Sequence, residues 1–254
     1  MTYTPEQISQ IVLKVLKEVE TPDVSKLSYE EKIKLAKDPN TSQETLAILA
    51  TDKYSGVRGC VARNQNTSQE ILKSLASDED SYVRCGVVLN QNTPQESLAI
   101  LATDEDSDVR CGVALNQNTS QETLAILATD KNPSVRWEVA KNQNTPQETL
   151  AILATDEGSD VRWEVARNPN TSQELLKILA TDENFYVRCG VALNQNTSQE
   201  SLAILATDED SNVRNSATEN PNYKKQTLEL NTTQYNALKK LIESGQDEVL
   251  KGIL

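Results

Sequence analysis

The segment TSQE or TPQE begins at Thr41, Thr67, Thr93, Thr119, Thr145, Thr171 and Thr197, each 26 residues after the one before, and the register runs without insertion to Asn222. A fixed period of this length means that each unit is one supersecondary element whose apolar face must be covered by the next unit. The chain is therefore expected to build a stacked array with contacts mainly between neighbours. Seven units fill residues 41–222, and positions within a unit are counted below from its opening Thr.

Each unit reads as two helices. Thr at position 1 and Glu at position 4, as in Thr41 with Glu44 and Thr197 with Glu200, have the spacing of a capping box that opens a first helix, A. Pro94 and Pro146 fall where a first helical residue has no N–H to lose. Leu at 6 and 9 and Ala at 10, as in Leu98, Leu101 and Ala102, give helix A one apolar face. After a turn such as DEDSD, Val at 17 and mostly Val at 21 repeat at helical spacing in a second helix, B. Ser55, Ser81, Ser107, Ser159 and Ser211 at position 15 are candidate N-caps for it. Asn at 24 and 26, for example Asn116 and Asn118, closes the unit; asparagine tolerates the left-handed backbone of a helix end, and an asparagine ladder is expected along that edge.

Asp at 12 and Arg at 18 are present in every unit, from Asp52 and Arg58 to Asp208 and Arg214. Seven of each in register predict a ladder in which each Arg ties the A–B turn of its own unit and reaches the next. Side chains that do not vary along the array suit a structural role better than a ligand-reading one.

With the unit defined, residues 168–196, NPNTSQELLKILATDENFYVRCGVALNQN, resemble the leucine-rich repeat variant, a short relative of HEAT repeats, and TDEDSDVR resembles the HEAT pattern of a turn Asp followed by Val-Arg on the second helix. The resemblance implies an all-α, right-handed α-solenoid of seven 26-residue two-helix repeats, with helix B on the concave face. Most closing turns here read Asn-Gln-Asn, and Asn-Pro is kept only at Pro169 and Pro221. A cysteine-rich iron–sulfur segment found in a founding member of that family has no counterpart at this N-terminus, so no cofactor is implied.

The ends differ from the middle. Residues 1–40 and 223–254 together carry no net charge, so the repeats 41–222 hold the whole formal charge of −13. Residues 1–40 read as an N-terminal helical cap and degenerate half repeat, with Ile8, Ile11, Val12, Val15, Leu16 and Val19 at helical spacing and SYEEKIKLAKDPN resembling helix B with its closing turn. Residues 223–254 read as a C-terminal helical cap, with a helix ending at Gly245. Its apolar tail of Leu250, Ile253 and Leu254 is expected to fold back on the cap, favouring a monomer over a homodimer.

What varies is helix B at 19, 20 and 23. Where 19 and 20 are Cys-Gly, 23 is Leu, as with Cys111 and Leu115 or Cys189 and Leu193; where they are Trp-Glu, 23 is a cation, as with Trp137, Glu138 and Lys141 or Trp163, Glu164 and Arg167. If 16, 19, 20 and 23 face outward, units four and five present two indoles side by side, flanked by smooth Cys, Gly and Leu. The expected function is a non-enzymatic scaffold that binds a protein or peptide on this face. The plainer alternative is that both indoles fill gaps between B helices and the Glu–cation pairs are ordinary surface pairs.

The composition narrows the chemistry. The chain has no His, the commonest general base and zinc ligand. No phosphate loop, nucleophile elbow or isolated acid pair appears, and DEDSD lacks the Gly and terminal Glu of a calcium loop. No catalytic or metal-ligating residue is therefore expected. The negative charge disfavours nucleic acid and membrane and favours a neutral or basic partner. Neighbouring cysteines, such as Cys85 and Cys111, stand about one helix-packing distance of 8–10 Å apart, too far for a disulfide. MTYTPEQIS has neither the basic start nor the apolar block of a signal peptide, so a cytoplasmic protein is expected. Two other readings remain open: a lyase-like helper that holds a pigment or other planar ligand between the Trp rings, and a purely architectural spacer.

Overall fold

A computed structural model describes residues 4–10, 23–225 and 232–243. The described residues are all helical or turn, and repeating helix pairs stack in file as a solenoid. Helix A is short, as in Gln43–Leu49, Gln95–Leu101 and Gln199–Leu205; helix B is slightly longer, as in Ser55–Arg63, Pro133–Lys141 and Ser211–Glu219. Ahead of the first pair, Tyr29–Lys37 takes the place of a B helix, and Thr232–Glu243 is helical after the last pair. The expected first helix is seen only from Pro5 to Gln10; its remaining apolar residues, Gly245 and the tail to Leu254 lie outside the described residues.

The core is a file of thin aliphatic layers. Each of the first six units adds two Leu from helix A and two Val from helix B, such as Leu98, Leu101, Val109 and Val113, all at 0–1% exposure, and the seventh has Ala217 in place of the second Val. No helix among the described residues is long and apolar enough to cross a membrane. Successive B helices pack closely against each other, whereas successive A helices scarcely meet, so the B helices line the inner side of the curve.

Helix starts differ from the sequence expectation by one residue, and the hydrogen bonds explain why. Helix A is capped by Ser at position 2: Ser120 Oγ accepts from Thr123 N–H at 3.2 Å, and Ser42, Ser68, Ser172 and Ser198 do the same. Pro94 and Pro146 occupy this cap position rather than the first turn and supply no side-chain bond. The Thr at position 1 is buried and works on the preceding helix; Thr119 Oγ1 donates to Val113 O at 2.6 Å, and the same bond recurs from Thr41 to Thr197. A reciprocal capping box does form, at Ser28 and Glu31. In helix B, Ser at 15 is the first helical residue, and position 14 is the cap, with Asp106 accepting from Asp108 N–H at 2.8 Å.

Two ladders run along the stack. Arg84 Nε and Nη2 donate to both carboxylate oxygens of Asp104 in the next unit at 2.6 and 2.8 Å, while its Nη1 donates to Asp78 O in its own turn at 2.8 Å. The arrangement repeats from Arg58–Asp78 to Arg188–Asp208, and Lys32 supplies the cation for Asp52. Burial pushes the Asp78 carboxyl up, but the bonds from Arg58 and the Asp80 N–H outweigh it and hold it below the usual carboxylate range. At the other edge Asn90 Nδ2 donates to Ala62 O and Asn64 O of the preceding unit at 2.7 and 2.9 Å, and its Oδ1 accepts from Asn92 N–H. The asparagine ladder is present, although these residues hold an extended backbone instead of a left-handed one; Asn116 has φ −68° and ψ 124°.

Candidate functional site

Position 20 does not face outward. A Cβ on Gly86 would stand 2.8 Å from Ala62 Cβ and 3.1 Å from Gly59 O, and one on Gly112 would stand 2.3 Å from Val88 Cγ2. This position lies in the seam between its own B helix and the preceding one, and Gly permits a close approach there. Where Glu138 and Glu164 replace Gly in units four and five, a carboxylate enters the seam. Glu164 is only 6% exposed, and Glu138 is half-buried with its Oε2 sealed from solvent and lacking a hydrogen-bond partner. Burial pushes both carboxyls above the usual range, opposed at Glu138 by Lys141 and at Glu164 by Arg167 and Lys141.

The cations do not close against these glutamates. Lys141 Nζ lies 3.9 Å from Glu138 Oε2, at the limit of an ion pair, and sits 4.5 Å from the centre of the Trp137 ring. Arg167 stacks over Trp163 at 4.5 Å. A cation over an indole face is attracted by the ring quadrupole, worth about 0.5–1 kcal/mol at an exposed site. Each indole is half-buried and rests on the aliphatic core, and Trp163 Cδ1 lies 3.2 Å from where a Gly190 Cβ would be. Both indoles thus pack against their own chain on one side.

Their other side lines a groove of about 440 Å³ between units four and five, formed with Pro133, Ser134, Gly158, Asp160 and Val161. Glu138 and Lys141 line a neighbouring recess of about 350 Å³ together with Leu115, Gln117 and Gln143. Arg167 and Leu193 line a third, of about 410 Å³, with Pro169 and Gln195. Leu115 and Leu193 are exposed. Cys189 is buried, so it offers little surface, while Cys111 is half-buried with its thiol pushed up to about 11 by burial and then by the charge of Glu138. All four cysteines are free thiols.

The sequence reading passed over a second surface. Ile48, Ile100, Ile126, Ile152, Ile178 and Ile204, at position 8 of helix A, are 52–64% exposed and form a row on the side away from the B helices. Their 26-residue recurrence beside the buried Leu at position 9 was the available signal.

The family model of the Leucine Rich Repeat Variant domain matches residues 134–184, which contain both Trp-Glu segments. A solved structure described as a leucine-rich repeat variant with a novel repetitive structural motif is 28% identical with a TM-score of 0.56, covering 75% of this chain and 80% of that one. The YibA protein of Escherichia coli is 19% identical with a TM-score of 0.46, covering 89% of this chain and 96% of that one, too loose a superposition to argue from. No curated protein matches by sequence. The match inside the array and the fold shared over most of both chains agree with the ladders and the period: this is a helical-repeat protein similar to the leucine-rich repeat variant.

Proposed function

We propose that the chain is a non-enzymatic scaffold that binds a protein or peptide segment on the inner, B-helix face at units four and five. The observation that carries this reading is the pair Trp137 and Trp163, half-buried and lining one groove, on an array whose other B helices place Gly, Cys or Asn at position 19. Half-buried indoles held by packing on one side and open on the other are the usual form of a binding hot spot, because they lose little freedom when a partner covers them. The flanking Leu115 and Leu193 extend the apolar strip by a unit on either side.

Selection of displayed random peptides on the full chain tests this reading. Enriched peptides are expected to bind the wild type and to lose binding when Trp137→Ala and Trp163→Ala are combined, with the melting temperature falling by no more than a few degrees. Peptides that bind both proteins equally, or a double variant that no longer folds while Trp137→Phe with Trp163→Phe folds and binds normally, would reject it.

A further inference from the structure

The groove between units four and five has one-sided chemistry. Its single charged lining residue is the exposed Asp160, and neither Lys141 nor Arg167 belongs to the lining. In the adjoining seam Glu138 Oε2 is sealed from solvent without a hydrogen-bond partner, and Glu164 is only 6% exposed. A desolvated carboxylate oxygen without a donor is costly, and an incoming cation with N–H groups relieves that cost more than it does for a solvated acid. Two indoles with carboxylates beside them form a receptor for a planar cation. The guanidinium group stacks on aromatic faces and pairs with carboxylates through a fork of donors, which an ammonium cannot do. The charge of −13, all of it held by the repeats, draws such a group in.

The spacing of the array selects the backbone that carries it. Packed helices stand about 8–10 Å apart. A polyproline II segment places every third side chain on one face, advancing about 9.3 Å per turn at 3.1 Å per residue, so it keeps step with successive B helices. A β-strand returns to the same face about every 6.6–6.8 Å, about 1–3 Å short of each unit. Asp108 occupies the position of Asp160 two units earlier, about six polyproline II residues away. Grooves walled by aromatic rings are also where such segments dock, since they need no internal hydrogen bonds and lose little entropy.

We propose that the partner is a polyproline II segment with arginine at every third position, lying across the B helices, one arginine entering between Trp137 and Trp163 to pair with Asp160. This rests on the peptide-binding reading above and adds the partner's charge and period. The test is fluorescence anisotropy of the full chain with dye-labelled (Pro-Pro-Arg)4, (Pro-Pro-Gln)4, and an isomer of the first with its four arginines contiguous. The first is expected to bind at least about ten-fold more tightly than either other, a difference of about 1.4 kcal/mol. Asp160→Asn is expected to weaken it by about ten-fold, in line with loss of a charged hydrogen bond. Glu148→Gln, the same charge change on helix A, is expected to change it by less than about two-fold through screening. Equal binding of the isomer, equal loss in Glu148→Gln, or equal binding of the glutamine peptide overturns the proposal. If displayed peptides depend on the indoles but (Pro-Pro-Arg)4 does not bind, this inference fails and the peptide-binding reading stands; if no peptide depends on the indoles, the reading itself fails.

Discussion

Arg110 holds Asp130 of the next unit through both carboxylate oxygens, at 2.6 and 3.0 Å, while its third nitrogen donates to the Asp104 carbonyl of its own turn at 2.7 Å. One side chain thus fixes two turns in consecutive units, with Arg and Asp side chains only 6% and 9% exposed. Removing one member of such a pair strands the other in a poorly solvated place, at a cost of about 3–5 kcal/mol. Arg110→Ala is therefore expected to destabilise the array by that amount. Because the units interact as nearest neighbours, the urea transition should also separate into two phases, one on each side of the junction between units three and four. A single transition with an unchanged midpoint would contradict the ladder's role.

The asparagine edge makes a different prediction, because its side chain must donate and accept at once. Asn142 Nδ2 donates to Ala114 O and Asn116 O at 2.7 and 3.3 Å, and its Oδ1 accepts from Asn144 N–H at 2.8 Å. Asn142→Ala should cost about 1–3 kcal/mol by leaving buried carbonyls unpaired. Asn142→Asp keeps the acceptor but turns a carboxylate toward two carbonyl oxygens, so at neutral pH it should cost more than the alanine. Chemical denaturation of the two variants at pH 7 ranks them, and an aspartate variant as stable as wild type would refute the account. The first, degenerate unit already carries Asp38 at this position, where Asn64 donates to its carbonyl and its carboxylate serves only Asn40.

Much of this architecture was legible in the period. The helix pairs, the Asp–Arg ladder with its reach into the next unit, and the asparagine ladder follow from residues that recur at one interval and have complementary donors and acceptors. What escaped was directional. Thr and Ser are adjacent at five of the seven helix A starts and both can cap, so sequence could not say that Thr119 turns back to Val113 while Ser120 takes the N–H. Position 20 read as outward because a helical wheel of one unit contains no neighbour. Only the stack shows that Gly112 faces Val88 and that Glu164 points into a seam. The plainer reading paired the cations at 23 with the glutamates; Lys141 Nζ is 3.9 Å from Glu138 Oε2, and both cations lie over the indoles one helical turn back.

Seam packing at position 20 can be measured directly. A methyl at Gly112 would meet Val88 Cγ2 at 2.3 Å, a β-branched side chain that cannot rotate away cheaply. Alanine brings a helix-propensity gain of about 1 kcal/mol, set against overpacking of about 1–3 kcal/mol. Gly112→Ala should therefore be neutral to destabilising, and Val88→Ala in the same chain should convert it to a net stabilisation. A thermodynamic cycle over the four proteins is expected to give a favourable coupling of about 1 kcal/mol or more. Additive effects would mean that the two B helices do not meet at these residues.

The buried glutamates set the pH behaviour. Burial raises the carboxyls of Glu138 and Glu164, so the folded chain holds these protons more tightly than the unfolded chain does. Their contribution is fully present below the ordinary glutamate value of 4.5 and is lost as pH rises through the raised folded value. The ladder aspartates act in the opposite sense: with Asp78, Asp130, Asp156 and Asp182 held low, their contribution is full above 3.8 and disappears as pH falls below it. Stability should therefore rise as the pH falls from neutrality toward 4.5 and collapse in stronger acid, below 3.8. Glu138→Gln combined with Glu164→Gln removes only the first effect, because glutamine is neutral throughout. That variant is expected to gain about 1–3 kcal/mol over wild type at pH 7.5, where wild type buries poorly paired charge, and to show no further gain down to pH 5. Melting curves of both proteins at half-unit intervals from pH 3 to 8 decide the matter. If the double variant keeps the wild-type rise between pH 7.5 and 5, the titrating groups lie elsewhere.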